Sequence, residues 1–180
     1  MSSLQKFHRR TQPFGPITWP AIAIGGGDET HGYWLGDISS NKLIVAPKTT
    51  ELTGANSVWG QYGYNTGVRN TTDGLANTNT LYALGSTYAS AAYYCKTLNT
   101  GGYNTWYLPA INELLTFYSN KNRTPFATAN AIPDSHRFWS STENNGGSAG
   151  VVMFDTGQLV NGGKGPYANT SLRAIRRTTI

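Results

Sequence analysis

Two short runs near the start of the chain, Gly32-Tyr33-Trp34-Leu35-Gly36-Asp37 and Lys42-Leu43-Ile44-Val45-Ala46, are rich in β-branched and aromatic residues. With the turn-forming Ile38-Ser39-Ser40-Asn41 between them, they predict a β-hairpin. The period changes over 86–98, where Tyr88, Ala91, Ala92, Cys95 and Leu98 fall on one helical face and Ser86 or Thr87 is available as a cap. Gly101-Gly102 ends that helix. A second helix is predicted from Pro109, a residue suited to a first turn, through Ile111, Leu114, Leu115 and Tyr118. Glu113 is placed to reach back to a free amide near Ala110, whose methyl group cannot reciprocate. Beyond Asn120 the pattern returns to strands at 137–143, 149–154, 158–160 and 172–177. Two helices between a hairpin and a set of C-terminal strands give an α+β domain of short, mainly antiparallel strands and long loops.

Two stretches lack this periodicity. Residues 49–80 are rich in Gly, Asn and Thr, with Trp59, Tyr62 and Tyr64 as large anchors, and read as a functional loop that its aromatics keep ordered. Residues 1–30 carry Pro13, Pro16 and Pro20, which forbid a helix and discourage a central strand. The apolar side chains among them need cover. The segment is either a docking arm that lays Phe14, Ile17 and Trp19 on a neighbouring chain or a strap over its own domain. Gly25-Gly26-Gly27 reads as the hinge after it, leaving residues 31–180 as the domain proper.

Composition narrows the use of such a domain. Only 13% of the 180 residues are charged, about half the usual share, and Gly, Thr, Asn, Ser and Tyr keep the surface wet. Binding faces favour that chemistry, because Tyr, Ser, Gly and Asn give contact area and adaptable hydrogen bonds at low entropic cost. The net charge of +5 is split between Lys6, Arg9, Arg10 and Arg173, Arg176, Arg177, with no basic stripe between, so no nucleic-acid partner is expected. One cysteine, Cys95, allows no intrachain disulfide and sits on the apolar helical stripe as a packing residue. No apolar run of signal-peptide or membrane-spanning length is present, so synthesis and retention in a cytoplasm are expected, without membrane insertion.

Candidate chemistry is sparse. His8, His31 and His136 are far apart, and neither a metal site nor a cofactor is expected. Ser140 and Ser141 lie in a strand-like stretch without a nucleophile elbow, so no catalytic residue is assigned. Glu113, Glu143, Arg173 and Arg176 stand beside Trp106 and Trp139 and read as a structural network in which guanidinium forks hold carboxylates and fix packed elements. Polar, turn-rich loops at 144–148 and 161–171 follow, and Asn144, Asn145, Asn161, Tyr167 and Asn169 are the candidate ligand contacts.

Three islands, Trp106-Tyr107-Leu108-Pro109-Ala110-Ile111-Asn112-Glu113-Leu114, Phe138-Trp139-Ser140-Ser141-Thr142-Glu143 and Arg173-Ala174-Ile175-Arg176, occur in order with Trp59-Gly60, Asp73-Gly74-Leu75-Ala76-Asn77-Thr78, Phe154, Gly157 and Lys164. This series resembles the C-type-lectin-like domain at the C-terminus of a collagen-like bacterial adhesin, the Lcl C-terminal family, over about residues 32–177. Thr105 and Ala110 depart from that pattern, where an Asp and a hydroxyl cap are usual. The resemblance implies a C-type-lectin-like fold, with kinship in fold to phage receptor-binding tropism determinants. The calcium-binding triplets of animal C-type lectins are absent. The expectation is a non-enzymatic virion protein, oligomeric, docked to other virion proteins by its arm and displaying loops to a host surface glycan or protein. A decoration protein that binds only virion partners and a bacterial surface adhesin are the alternatives.

Overall fold

The computed structural model describes residues 22–179 except Asp134, Tyr167 and Ala168. Phe14, Ile17, Trp19 and Tyr167 therefore lie outside the described residues.

The first hairpin forms where its pattern places it, as β2 (Gly32–Ile38) and β3 (Asn41–Val45) in antiparallel register, with Tyr33 opposite Val45 and Trp34 opposite Ile44. A short β1 (Gly27–Asp28) adds to β2, and the C-terminal β9 (Ile175–Thr179) adds to β3. The glycine run is thus no hinge. Gly25 donates to the Trp34 carbonyl at 2.7 Å, and the Trp34 amide donates to the Gly26 carbonyl at 2.9 Å. At Gly27, φ is +139° and a Cβ would fall 2.1 Å from the Gly32 carbonyl oxygen, so this close approach requires glycine.

A second sheet runs β4 (Leu52–Thr53), β8 (Thr170–Leu172), β5 (Arg137–Asn145), β6 (Ser148–Met153) and β7 (Leu159–Gly163). Only the β5–β8 pair is parallel. The chain is an α+β protein with two mainly antiparallel sheets.

Four α-helices are found, not the expected two. The additional pair is α1 (Gly74–Ala83) and α4 (Phe126–Ala129); the others are α2 (Ser90–Thr97) and α3 (Ile111–Asn120). Helix α1 lies in the stretch read as loop. Its sequence Gly-Leu-Ala-Asn-Thr-Asn-Thr-Leu-Tyr-Ala has a weak apolar stripe, yet it buries Asn77, Thr78 and Leu81. Hydrogen bonds from the Asn77 amide to Ser141 Oγ and from Thr78 Oγ1 to the Leu108 carbonyl stand in for apolar contact. Helix α2 starts later than expected, at Ser90 after an Ala89 cap without a side-chain bond, so neither Ser86 nor Thr87 caps it and Tyr88 precedes it.

Apolar side chains fill two clusters. One collects Trp59, Trp106 and Trp139 with Leu81, Ala91, Ala92, Cys95 and Val151. The other collects Tyr33, Leu35, Leu43, Val45, Phe117, Phe126, Phe138, Phe154 and Ile175. Strand alternation explains how the four-stranded sheet serves both: Leu43, Val45 and Ile175 face the second cluster and Ile44 faces the first. Reciprocal indole bonds link the segment before α1 to β5, with Trp59 Nε1 donating to the Ser140 carbonyl at 2.7 Å and Trp139 Nε1 to the Ser57 carbonyl at 2.8 Å.

Candidate functional site

Two buried carboxylates organise the chain between the sheets. Glu113, at the start of α3, accepts from Ala110 N–H (2.8 Å), Gly74 N–H (3.0 Å) and Tyr107 O–H (2.7 Å), and from Arg177 Nε and Nη2 at 2.9 and 2.6 Å. A Cβ on Gly74 would sit 2.4 Å from the same carboxylate, so only glycine lets α1 begin there. Desolvation pushes the Tyr107 phenol upward, and the adjacent Glu113 charge adds to it.

Glu143, near the end of β5, accepts from Thr66 N–H (2.8 Å), Gly67 N–H (2.7 Å) and Lys164 Nζ (2.5 Å). Both side chains of the ion pair are inaccessible to solvent. Burial alone would raise the Glu143 carboxyl; the Lys164 ammonium and the two amides outweigh it and hold the carboxyl below the usual range. Lys164 also donates to the Tyr64 carbonyl at 2.6 Å and lies 4.6 Å from the centre of the Trp59 ring.

The arginines expected to hold these carboxylates are engaged elsewhere. Arg177, not Arg176, meets Glu113, because parity along β9 turns Arg177 toward Tyr107 and Arg176 toward the opposite face, where its guanidinium stacks 3.6 Å from the Tyr103 ring centre. Arg173 is fully buried, donates to the Ala46 carbonyl (2.8 Å) and to Asn130, and lies 3.5 Å from Glu51. Burial lowers its pKa to about 10 against the opposing pull of Glu51 and Glu29. Glu143 takes Lys164 in place of an arginine. Trp106 and Trp139 are fully buried in the first cluster.

Above the Glu143–Lys164 pair three segments meet. The carboxylate takes the amides of 66 and 67, the lysine takes the carbonyl of 64, Gly63 N–H donates to the Gly146 carbonyl at 2.8 Å, and Lys164 N–H donates to the Gly147 carbonyl at 3.1 Å. Backbone held this way turns Tyr62 and Tyr64 outward. Tyr62 is 74% exposed. Tyr64 packs on Tyr88, with ring centres 4.4 Å apart, and both remain partly open to solvent. Glycines at 146 and 147 bring the β5–β6 turn against this loop: a Cβ at 146 would meet the Gly63 carbonyl at 2.9 Å.

Asn144 and Asn161 come together at the rim, with Asn144 Nδ2 donating to Asn161 Oδ1 at 2.7 Å, and Asn145 Oδ1 accepts the Gly147 amide at 2.8 Å. Asn144, Asn145 and Asn161 lie in strands, although the sequence reading put them in loops. Asn169 is separate, beside the opposite end of β5, where its carbonyl accepts from Arg137 N–H. The sequence singled out Tyr62 and Tyr64 only as anchors, and Tyr88 as a buried helical residue. Tyr88 is in fact 37% exposed. The glycines flanking Tyr62 and Tyr64 were the available signal, since residues without side chains on either side leave a ring little to pack against.

Other polar groupings are less suited to chemistry. His136 Nδ1 lies 3.3 Å from Ser171 Oγ and 3.7 Å from Glu51 Oε1, so serine and carboxylate share one ring nitrogen instead of occupying the two a relay requires. Burial pushes the Cys95 thiol upward, away from the thiolate a nucleophile needs. Among the described residues no cluster of three or more His, Cys, Asp or Glu side chains could hold a metal ion, and no helix is long and apolar enough to cross a membrane.

Comparison with family models matches the Lcl C-terminal domain over residues 44–176. The chain belongs to that family. Among curated proteins nothing matches.

Proposed function

We propose, from membership of the Lcl C-terminal family, that this chain is a non-enzymatic recognition module of C-type-lectin-like fold, carried on a virion and presenting its Tyr62–Tyr64–Tyr88 face to a host surface glycan or protein. The observation that carries the proposal is the anchoring of exposed aromatics by a buried ion pair. Tyr62 stands 74% exposed on a loop whose backbone is fixed at residues 64, 66 and 67 by Lys164 and Glu143. A large exposed ring is unfavourable in water unless a partner covers it, and rigid backbone lowers the ordering cost when one does. The neighbouring Asn144, Asn145 and Asn161 supply the adaptable polar contacts that accompany Tyr at binding faces. Assembly inside a cell followed by lysis delivers such a module outside without an export signal, and the segment before residue 22 is the part assigned to docking on other virion proteins, with oligomerisation there.

Binding of the labelled full chain to whole host cells tests this reading. Tyr62→Ala is expected to weaken binding about tenfold or more, the effect of losing one interface aromatic, with the melting temperature unchanged because the ring is outside the core. Equal binding by Tyr62→Ala and the parent overturns the assignment of the face. Binding to virion proteins alone, with none to cells, makes the chain a decoration protein. Deleting residues 1–21 is expected to abolish incorporation into particles, and normal assembly of the truncated chain removes the docking role.

A further inference from the structure

A second feature borders the Asn161 rim and is not used by the tyrosine face. Arg137, Val151, Val160, Asn161, Gly162, Gly163 and Thr170 line a cavity of about 150 Å³ on the five-stranded sheet. Arg137 opens β5, opposite Met153 on one side and Thr170 on the other. Its side chain is half-buried, its Nε is shielded from solvent without a hydrogen-bond partner, and no carboxylate lies within ion-pair distance of it among the described residues. The contrast with its neighbours is direct: Arg173 and Arg177 both have acidic partners, and Arg176 is stacked on an aromatic ring.

An unpaired guanidinium partly withdrawn from water lacks the hydrogen bonds it would otherwise make, and a planar carboxylate restores them through the Nε and Nη edge. The rest of the lining suits a sugar ring next to that carboxylate. Val151 and Val160 offer an apolar wall, Thr170 and Asn161 offer a hydroxyl and an amide, and Gly162-Gly163 leaves the β7 edge bare for close approach. Gly162 is fixed as glycine, since a Cβ there would meet Val151 at 2.6 Å and the Trp139 ring at 2.7 Å. A single cation matches the single negative charge of a sugar acid. We infer that this cavity is a subsite for a carboxylate-bearing sugar, with Arg137 as its anion-binding residue.

The inference does not depend on the tyrosine face, and the test separates them. Amide and Arg Nε–H resonances of the full chain are followed while methyl β-glucuronide, its uncharged counterpart methyl β-glucoside, or acetylglycine is added. Methyl β-glucuronide is expected to shift Gly162, Gly163 and Arg137 saturably, and methyl β-glucoside to leave them in place. Arg137→Gln is expected to weaken glucuronide binding about tenfold or more, the loss of one charge-assisted pair, with a folded spectrum. Arg137→Lys, which keeps the charge without the fork, is expected to fall between. Tyr62→Ala is expected to bind glucuronide like the parent, whatever its effect on cells. Shifts elsewhere or none, equal shifts from methyl β-glucoside, or undiminished binding by Arg137→Gln would overturn the subsite. Acetylglycine binding as tightly as glucuronide would overturn the sugar and make the ligand an acidic peptide end.

Discussion

Lys164→Met removes one half of an ion pair from which water is excluded on both sides. Glu143 then keeps only the amides of Thr66 and Gly67, and the Tyr64 carbonyl loses the ammonium 2.6 Å away. Breaking a buried pair by deleting one partner costs about 3–5 kcal/mol, chiefly from the charge left behind. For a chain of this size each kcal/mol shifts the midpoint by about 2–4 °C, so a fall of about 6–20 °C is expected. Glu143→Gln strands the lysine instead and is expected to cost a similar amount. The double variant removes both charges and should be less destabilised than the sum of the singles, which a double-mutant cycle in urea measures directly. Acid supplies an independent check. The folded Glu143 pKa lies below its unfolded value of about 4.3, so its contribution is full above that value and is lost as pH falls through the lower folded pKa. Glu143→Gln should therefore flatten the acid limb of the stability curve. Hydrogen exchange at Thr66 and Gly67 reads the local consequence: in Lys164→Met both amides should exchange faster than the core. A cost below about 1 kcal/mol, with those amides still protected, would show that Trp59 and the backbone bonds hold the loop without the pair and would refute the anchoring argument.

Gly74→Ala places a methyl group 2.4 Å from the Glu113 carboxylate and should destabilise by about 1–3 kcal/mol or more, the cost of overpacking; an unchanged urea midpoint would count against the Glu113 hub. Trp59→Phe leaves the Ser140 carbonyl without its 2.7 Å donor and should cost about 1–3 kcal/mol beyond any lost packing, seen as a lower midpoint with an unchanged m-value. Cys95, fully buried with its thiol pKa raised, should react with iodoacetamide only as fast as the chain opens, so native-state labelling as fast as in urea would contradict its packing role.

The parts of the fold legible in the sequence were those where apolar periodicity carried the burial. The 32–45 hairpin and α3 are of this kind, with Leu114 and Phe117 buried on one side of the helix. Helix α1 was missed because its inner face is Asn77, Thr78 and Leu81, and polar residues satisfied by tertiary hydrogen bonds leave no stripe to detect. The Glu113 partner was misassigned for a different reason. Arg176 and Arg177 are adjacent, and the choice between them depends on which face of β9 looks toward Tyr107, a fact set by the β3–β9 register. One residue of parity decided which guanidinium pairs with the carboxylate and which stacks on Tyr103.

The same logic accounts for the position of the candidate site. With so few charges in the chain, it is notable that Glu113, Glu143, Lys164, Arg173 and Arg176 are all buried. The conspicuous Trp-Ser-Ser-Thr-Glu island is therefore interior, since Trp139, Ser140, Ser141, Thr142 and Glu143 all lie within the protein. Charges spent on internal pairing leave the outer face to tyrosines and amides, whose contacts vary less with salt than ion pairs do. Recognition on the tyrosine face should accordingly persist at high ionic strength, whereas any contribution from the Arg137 cavity should weaken as salt is raised. Cell binding measured from low to high salt separates the two surfaces: a salt-resistant component lost in Tyr62→Ala belongs to the tyrosine face, and binding that vanishes entirely with salt would contradict a neutral aromatic surface as its main source.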